Sequence, residues 1–435
     1  MVDTRRPIAV DPFSGNGSTR RVAPAPPAPS GARLGHEVIT ECHPHGWIAW
    51  MLLHLARTWS VLEARERQGA FHPGTSATLR PFAAGFAADE PELAEAVHIL
   101  LAMCDLPEAI QPVEIATACS RLSDWASAHA QPQTSLHFAE LAAAADPDSA
   151  ERAYRAGREN RTVGEWARAT AWFRRATRLA RIAGDERAFA IAHLGWGTLE
   201  HNLGNVAEAE HHFLKGGRAA FRARQRALAG TAHHDLLAVM ITTGRFDRAI
   251  PHALRAISLY PRGHFRIPHL AFDVGALWLQ MGHCSTALYL FEKIVSMFQE
   301  PGERLLAHAA LARCTAVVHD RVRFERLAER VLEWVAEMPS QTAAALLHLA
   351  CGAHCFGQHS RAEQLARQAT EAAAREGNRS VLLAATALQA RLTARAEPEV
   401  DHVPPPDSPV DEITQLVLRK FERRNKRRTV PGSVL

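Results

Sequence analysis

Residues 153–176 read AYRAGRENRTVGEWARATAWFRRA, and residues 193–216 read HLGWGTLEHNLGNVAEAEHHFLKG. Superposed at an offset of 40 positions, Gly157 falls on Gly197, Gly164 on Gly204, Ala169 on Ala209 and Phe173 on Phe213. The frame returns at Gly244, Gly282 and Gly357, so the five turn glycines are spaced by 40, 40, 38 and 75 residues. Five positions after them stand Ala169, Ala209, Ala249, Ala287 and Ala362, and nine after stand Phe173, Phe213, Ala253, Phe291 and Ala366. Self-similarity at this period marks a repeat array, in which no unit buries its apolar face alone and each neighbour covers part of it. Such an array predicts a binding scaffold rather than an enzyme.

The frame extends in both directions. Ala116 to Pro147 fits it, with a turn at Ala130–Gln133 where Pro132 takes the place of glycine. The 75-residue gap between Gly282 and Gly357 holds one degenerate unit, with its turn near His319–Arg323. Seven helical hairpins then cover about Ala116 to Ala374, and Ser380 to Ala394 supplies a capping helix. Upstream, Gly46 to Glu66 reads as one amphipathic helix with Ile48, Leu52, Leu55, Trp59 and Leu62 on one face. Gln68 to Ala88 carries Gly74, Pro81 and Gly85 and reads mainly as loop. Glu90 to Met103 reads as helix. The resulting division is a disordered segment at 1–35, an N-terminal helical region at 36–115, the solenoid at 116–395, a Pro-rich linker at 396–409 and a basic C-terminal helix or tail at 410–435. Ser408-Pro409-Val410-Asp411 resembles a capping box that opens a final helix over Val410 to Arg428. No long stretch alternates with period two, so the fold class is all-α.

Composition sets outer limits. The chain has 435 residues, 47% apolar and 22% charged, with a net charge of +4. That charge is too mild, averaged over the molecule, to demand nucleic acid. The seven cysteines form no paired framework. Residues 1–34 show no apolar signal core, and the longest apolar run, Trp47 to Ala56, is half of a bilayer span. These features predict a cytoplasmic protein with free thiols, no membrane and no cofactor.

The units resemble the tetratricopeptide repeat (TPR). The resemblance rests on Ala153, Ala156, Gly157, Gly164, Trp166, Ala169, Phe173 and Ala176, and again on Gly244, Phe246, Ala249, Ala256 and Pro261. The family unit is ~34 residues; most units here are longer, as in the longer-helix solenoids of bacterial regulatory proteins, which the chain also resembles. The resemblance implies a right-handed α-α superhelix whose first helices line a concave groove. It implies a non-catalytic scaffold that holds a protein or peptide. Counted back from each turn, the groove then presents Tyr154, Arg155, Arg158 and Arg161, followed by Leu194, Thr198, His201 and Asn202. His234, Asp235 and Ala238 come next, then Phe272, Asp273, Ala276 and Leu279, and finally His348, Cys351 and His354. It runs from cationic, through apolar with two carboxylates, to a His- and Cys-rich end. An acidic group on the arginines and apolar side chains on Phe272 and Leu279 would suit it. The lysine and asparagine set with which some members hold a C-terminal carboxylate is missing; only Asn202 matches in type.

Other constellations are weaker. His348, Cys351, His354, Cys355 and His359 have the spacing of a zinc site, but they lie where a repeat helix needs small apolar residues, and cysteine serves as one. Cys42, His43 and His45 share a short turn. His211-His212 and His233-His234 are neighbours that point apart on a helix. No phosphate loop, nucleophile elbow or catalytic set is present. The basic residues Arg423, Arg424, Lys426, Arg427 and Arg428 would contact nucleic acid or a transcription partner in a regulatory alternative, but one aromatic, Phe421, is too little for base stacking. The Gly46 to Glu66 helix, with Trp47, Trp50 and Trp59, is a candidate for self-association into a homo-oligomer.

Overall fold

A computed structural model describes residues 35–338, 342–396 and 410–421 of the chain. Among the described residues there are α-helices and no strands. Four helices come first: α1 (Glu37–Glu41), α2 (Gly46–Val61), α3 (Thr75–Asp89) and α4 (Ala94–Asp105). Seven antiparallel hairpins follow, each a first helix and a second. They are α5 (Pro112–Ala128) with α6 (Pro132–Ala145), α7 (Ala150–Thr162) with α8 (Trp166–Ala183), α9 (Glu186–Asn202) with α10 (Val206–Arg222), and α11 (Arg226–Thr242) with α12 (Phe246–Leu259). Then come α13 (Ile267–Gln280) with α14 (Cys284–Ile294), α15 (Pro301–Val317) with α16 (Arg321–Glu337), and α17 (Ala343–Cys355) with α18 (His359–Arg375). Two helices close the chain, α19 (Arg379–Thr393) and α20 (Val410–Arg419).

The hairpins stack side by side because small residues let helices close on aromatic rings. A Cβ placed on Gly197 would stand 2.7 Å from the Phe213 ring, and one on Gly275 would stand 2.9 Å from Phe291. Phe173, Phe213 and Phe291 are buried as those plugs. The degenerate unit uses the same device with partners exchanged: Phe324 of α16 fills the notch at Gly352 of α17. Turn residues adopt left-handed backbone, which costs glycine nothing. Gly164 takes φ +83° and Gly204 takes φ +77°; His319 takes the same place with φ +60°.

Three expectations need correction. Residues 75–89 form α3, not loop. Leu79, Ala83 and Phe86 recur at helical spacing and are buried, so packing overrides Pro81 and Gly85. In the first hairpin Ala130, at φ +56°, takes the left-handed place expected of Pro132, which instead opens α6 at its first position. That fits the chemistry: proline fixes φ at a helical value and its missing N–H is no loss in a first turn. Finally, α2 ends at Val61, with a separate short 3-10 turn at Ala64–Glu66.

The first helices are fastened to the array. The Glu41 carboxylate accepts from the Gln133 amide at 3.1 Å and the Thr134 amide at 2.8 Å, placing an anion on the α6 N-terminus. Trp59 is buried and donates to the Pro107 carbonyl at 3.1 Å. Trp50 is half-buried and Trp47 packs edge-on against Phe82. Of the α2 tryptophans considered for self-association, Trp59 is thus turned inward, Trp50 is half-buried and Trp47 remains exposed. At the other end Glu376 accepts from the Thr342 and Ala343 amides at 2.7 and 3.1 Å and caps α17.

Two contacts join distant parts of the array. Residues at the α18–α19 junction meet the second hairpin and the third: a Cβ on Gly377 would stand 2.3 Å from Trp166, and Arg379 and Leu383 lie against Gly204. The C-terminal α20 packs on α12, α13 and α14. Val410, Ile413 and Val417 are buried there. The Trp278 indole donates to Thr414 Oγ1 at 3.1 Å, and Lys420 Nζ donates to the Tyr260 carbonyl at 2.7 Å. The linker, Ser408 and Pro409 of the suggested cap, and the helix expected beyond Arg419 toward Arg428 fall on or past the edge of the described residues.

Candidate functional site

The residues expected to line a groove lie on the first helices of their hairpins. On α7, Arg155 is engaged from two sides. It donates to both oxygens of Asp124 at 2.7 and 2.6 Å and to Glu151 at 3.3 Å. Arg158 donates to the buried Glu159 at 2.6 Å. Two of the three arginines therefore carry their own carboxylates, which lowers their appeal to an outside anion. Arg161, one turn farther, is half-buried and makes no hydrogen bond or ion pair among the described residues. Burial pushes its guanidinium below the usual range; Tyr154, Asp235 and Glu159 oppose that effect and Arg158 adds to it.

Those influences show what converges there. Tyr154 of α7 and Asp235 of α11 act on Arg161, and Asp235 acts also on His201 of α9. Burial pushes His201 down, partly offset by Asp235 and Asp273, and its Nε2 lies 3.2 Å from Thr242 Oγ1. Asn202 is half-buried at the end of α9. Asp235 accepts from Arg266 at 3.1 Å, an arginine contributed by the segment between α12 and α13. His234 is buried and lies 3.0 Å from Asp273 through Nε2 and 3.3 Å from the Tyr260 hydroxyl through Nδ1. Burial holds Tyr260 up at about 12, so the phenol stays neutral. Phe272 is half-buried, edge-on to Phe291 and Phe298.

The site is therefore a string of polar groups on one face of four successive hairpins. Asp235 is paired with Arg266 and Asp273 lies on His234, whereas Arg161 makes no hydrogen bond or ion pair among the described residues. Sequence reasoning named most members but missed Arg266 and Tyr260, which come from a connecting segment the repeat register does not index.

One histidine of each neighbouring pair, His212 and His233, faces another histidine within its hairpin. His193 and His212 face each other with Nδ1 atoms 2.8 Å apart, and His233 and His252 do so at 3.0 Å. The two pairs are related by the 40-residue period, 193 to 233 and 212 to 252. Among the described residues no three His, Cys, Asp or Glu side chains are placed to hold a metal ion. His348, Cys351, His354, Cys355 and His359 are spread along and beyond α17 rather than gathered. Cys42 is buried, with Sγ 3.2 Å from Gln131 Oε1, and His45 lies 2.7 Å from Asp89; the turn directs them apart. Arg423, Arg424, Lys426, Arg427 and Arg428 lie outside the described residues. No described helix is long and apolar enough to cross a membrane.

No protein-family model matches the chain. No curated protein matches it either. Among solved structures, it is similar to a Rap protein complexed with competence and sporulation factor, at 11% identity over 86% of this chain and 99% of that one, with a TM-score of 0.42. It is also similar to the P58(IPK) TPR domain, at 14% identity over 72% of this chain and 99% of that one, with a TM-score of 0.20. At those scores the fold assignment rests on the hairpins themselves. The left-handed turns, the glycine notches and the aromatic plugs make this chain a TPR-like all-α solenoid.

Proposed function

We propose that the chain is a non-catalytic scaffold that binds a protein or peptide along the face formed by its first helices. The observation that carries this reading is Arg161. A half-buried guanidinium with no carboxylate in hydrogen-bond reach has bonding capacity to spare, and such groups concentrate where a ligand completes the site. Tyr154 and His201 would add hydrogen-bonding groups on α7 and α9, and the half-buried Phe272 would add apolar surface farther along the row, on α13. Charge-assisted bonds from Arg161 would seize a carboxylate, while Phe272 would receive an apolar side chain.

The test is titration calorimetry with a peptide selected on the full-length chain from a random phage library. Arg161→Glu combined with Phe272→Ala is expected to weaken binding by ~100-fold or more, since loss of one charged hydrogen-bond partner alone is worth about 1.5–3 kcal/mol. Unchanged affinity in that double variant removes this face from the account.

A further inference from the structure

The segment between α12 and α13 is held from two sides. On one side α20 binds it: Lys420 Nζ donates to the Tyr260 carbonyl at 2.7 Å, and the Gly263 amide donates to the Lys420 carbonyl at 3.0 Å. On the other side the same segment serves the first-helix face. Arg266 donates to Asp235 at 3.1 Å. The Tyr260 hydroxyl lies 3.3 Å from His234 Nδ1, and His234 Nε2 lies 3.0 Å from Asp273. Within the segment the Tyr260 ring stacks on the His264 ring with centroids 4.5 Å apart, and His264 Nδ1 accepts from the Arg266 amide at 3.3 Å. Residues 260–266 thus form one braced unit that joins α20 to two carboxylates of the first-helix face.

The helix at the far end of this unit is a separable element. It packs on α12, α13 and α14 through Val410, Ile413 and Val417, and the chain segment 397–409 ties it to α19. A helix of 10 residues is marginal in water by itself, so α20 owes its structure to docking. Docked and released are therefore two discrete states, and they give Arg161 different surroundings. In the docked state Arg266 is held on Asp235, and Arg161 makes no hydrogen bond or ion pair among the described residues. On release the segment loses both bonds to Lys420, and Arg266 loses its fixed place opposite Asp235. Asp235 already acts on Arg161. Once freed from Arg266, that carboxylate competes at Arg161 with any incoming anion.

We propose that docking of α20 sets the affinity of the Arg161 site. Docked α20 keeps Asp235 on Arg266 and leaves Arg161 to a ligand carboxylate; released α20 lets Asp235 take Arg161 instead. Coupling between two equilibria is reciprocal, so a ligand on Arg161 also holds α20 in place. This inference rests on the reading of the first-helix face as a peptide site and adds its regulation.

The experiment uses the full-length chain and the phage-selected peptide. Hydrogen exchange of residues 410–421 reads the docking of α20, and calorimetry reads affinity. Saturating peptide is expected to slow exchange across 410–421 in the unaltered chain. Ile413→Asp puts a charge where α20 buries an apolar side chain. It is expected to speed that exchange and to weaken the peptide at least about fivefold, the lower end of typical coupling between sites. Adding Asp235→Asn is expected to restore affinity while 410–421 still exchanges fast, a rescue that general damage to the fold would not show. Val417→Asp, on the same buried face, supplies the release should Ile413→Asp fail to fold. Exchange at 410–421 unaltered by saturating peptide, or full affinity in a variant whose α20 is released, overturns the coupling and leaves the Arg161 reading intact. Affinity that does not fall in Arg161→Glu overturns both.

Discussion

The indole of Trp278 donates to Thr414 Oγ1 across 3.1 Å, although 136 positions separate the two residues. The bond ties the fifth hairpin of the array to a helix that starts after the Pro-rich segment. Val410, Ile413 and Val417 add apolar contact around it. The C-terminal helix is thus part of the core of the solenoid, and residues up to Phe421 are held against it.

Thr414→Val tests that attachment. The side chains are similar in size, so the chief loss is the partner of a buried indole N–H, which costs about 1–3 kcal/mol. The denaturation midpoint in urea should fall accordingly. A midpoint equal to that of the unaltered chain would mean that α20 does not hold this place in solution.

Gly197→Ala should destabilise the chain even though alanine favours helix by about 1 kcal/mol over glycine. The new methyl would stand 2.7 Å from the Phe213 ring. Overpacking of this kind costs about 1–3 kcal/mol. Adding Phe213→Leu to Gly197→Ala should recover stability relative to the sum of the single changes. Phe213→Ala alone should cost about 3–5 kcal/mol. Urea melts of the unaltered chain, the two single variants Gly197→Ala and Phe213→Leu, and their combination form the check; strict additivity would refute the notch.

Gly377→Val probes the contact that draws α18 and α19 onto the early hairpins. Its Cβ would fall 2.3 Å from Trp166, at a backbone φ of +64° that valine resists. Small-angle scattering should report a larger radius of gyration. Trp166→Ala in the same chain removes the clash and should restore part of the compactness. An unchanged radius in Gly377→Val would show that the ends do not meet.

The paired histidines predict acid sensitivity. Burial, with a smaller contribution from neighbouring cationic side chains, pushes His193 to about 3 and His212 and His233 to about 4, and lowers His252 as well. In the unfolded chain these rings titrate near 6.5. Above that pH both states are neutral and the rings impose no penalty. Below it the unfolded chain takes up protons that the folded one refuses, so stability falls as pH drops from about 6.5 toward 4. His193→Gln with His212→Gln should flatten that part of the stability-against-pH curve. An equally steep curve would assign the acid loss to other groups.

The repeat was legible because Gly164, Gly204, Phe173 and Phe213 have one structural job each and stand at fixed spacing. What the register does not index escaped it. Arg266 and Tyr260 lie in a connection, and α20 finds its slot through a tertiary fit with Trp278. The division of α7 into two satisfied arginines and one unsatisfied one depends on Asp124, contributed by a neighbouring hairpin. The α3 helix was obscured by Pro81 and Gly85, local signals that burial of Leu79 and Phe86 outweighs. The degenerate unit was legible too, its turn read near His319–Arg323, and His319 takes the left-handed place there at φ +60°.

The most direct measurement of where a ligand sits is photo-crosslinking with a benzophenone amino acid, using the phage-selected peptide on the full-length chain. One variant carries the probe at Thr198 on the first-helix face, another at the exposed Arg218 on α10. The account predicts a peptide adduct from position 198 and none from position 218. An adduct from position 218 alone would contradict it.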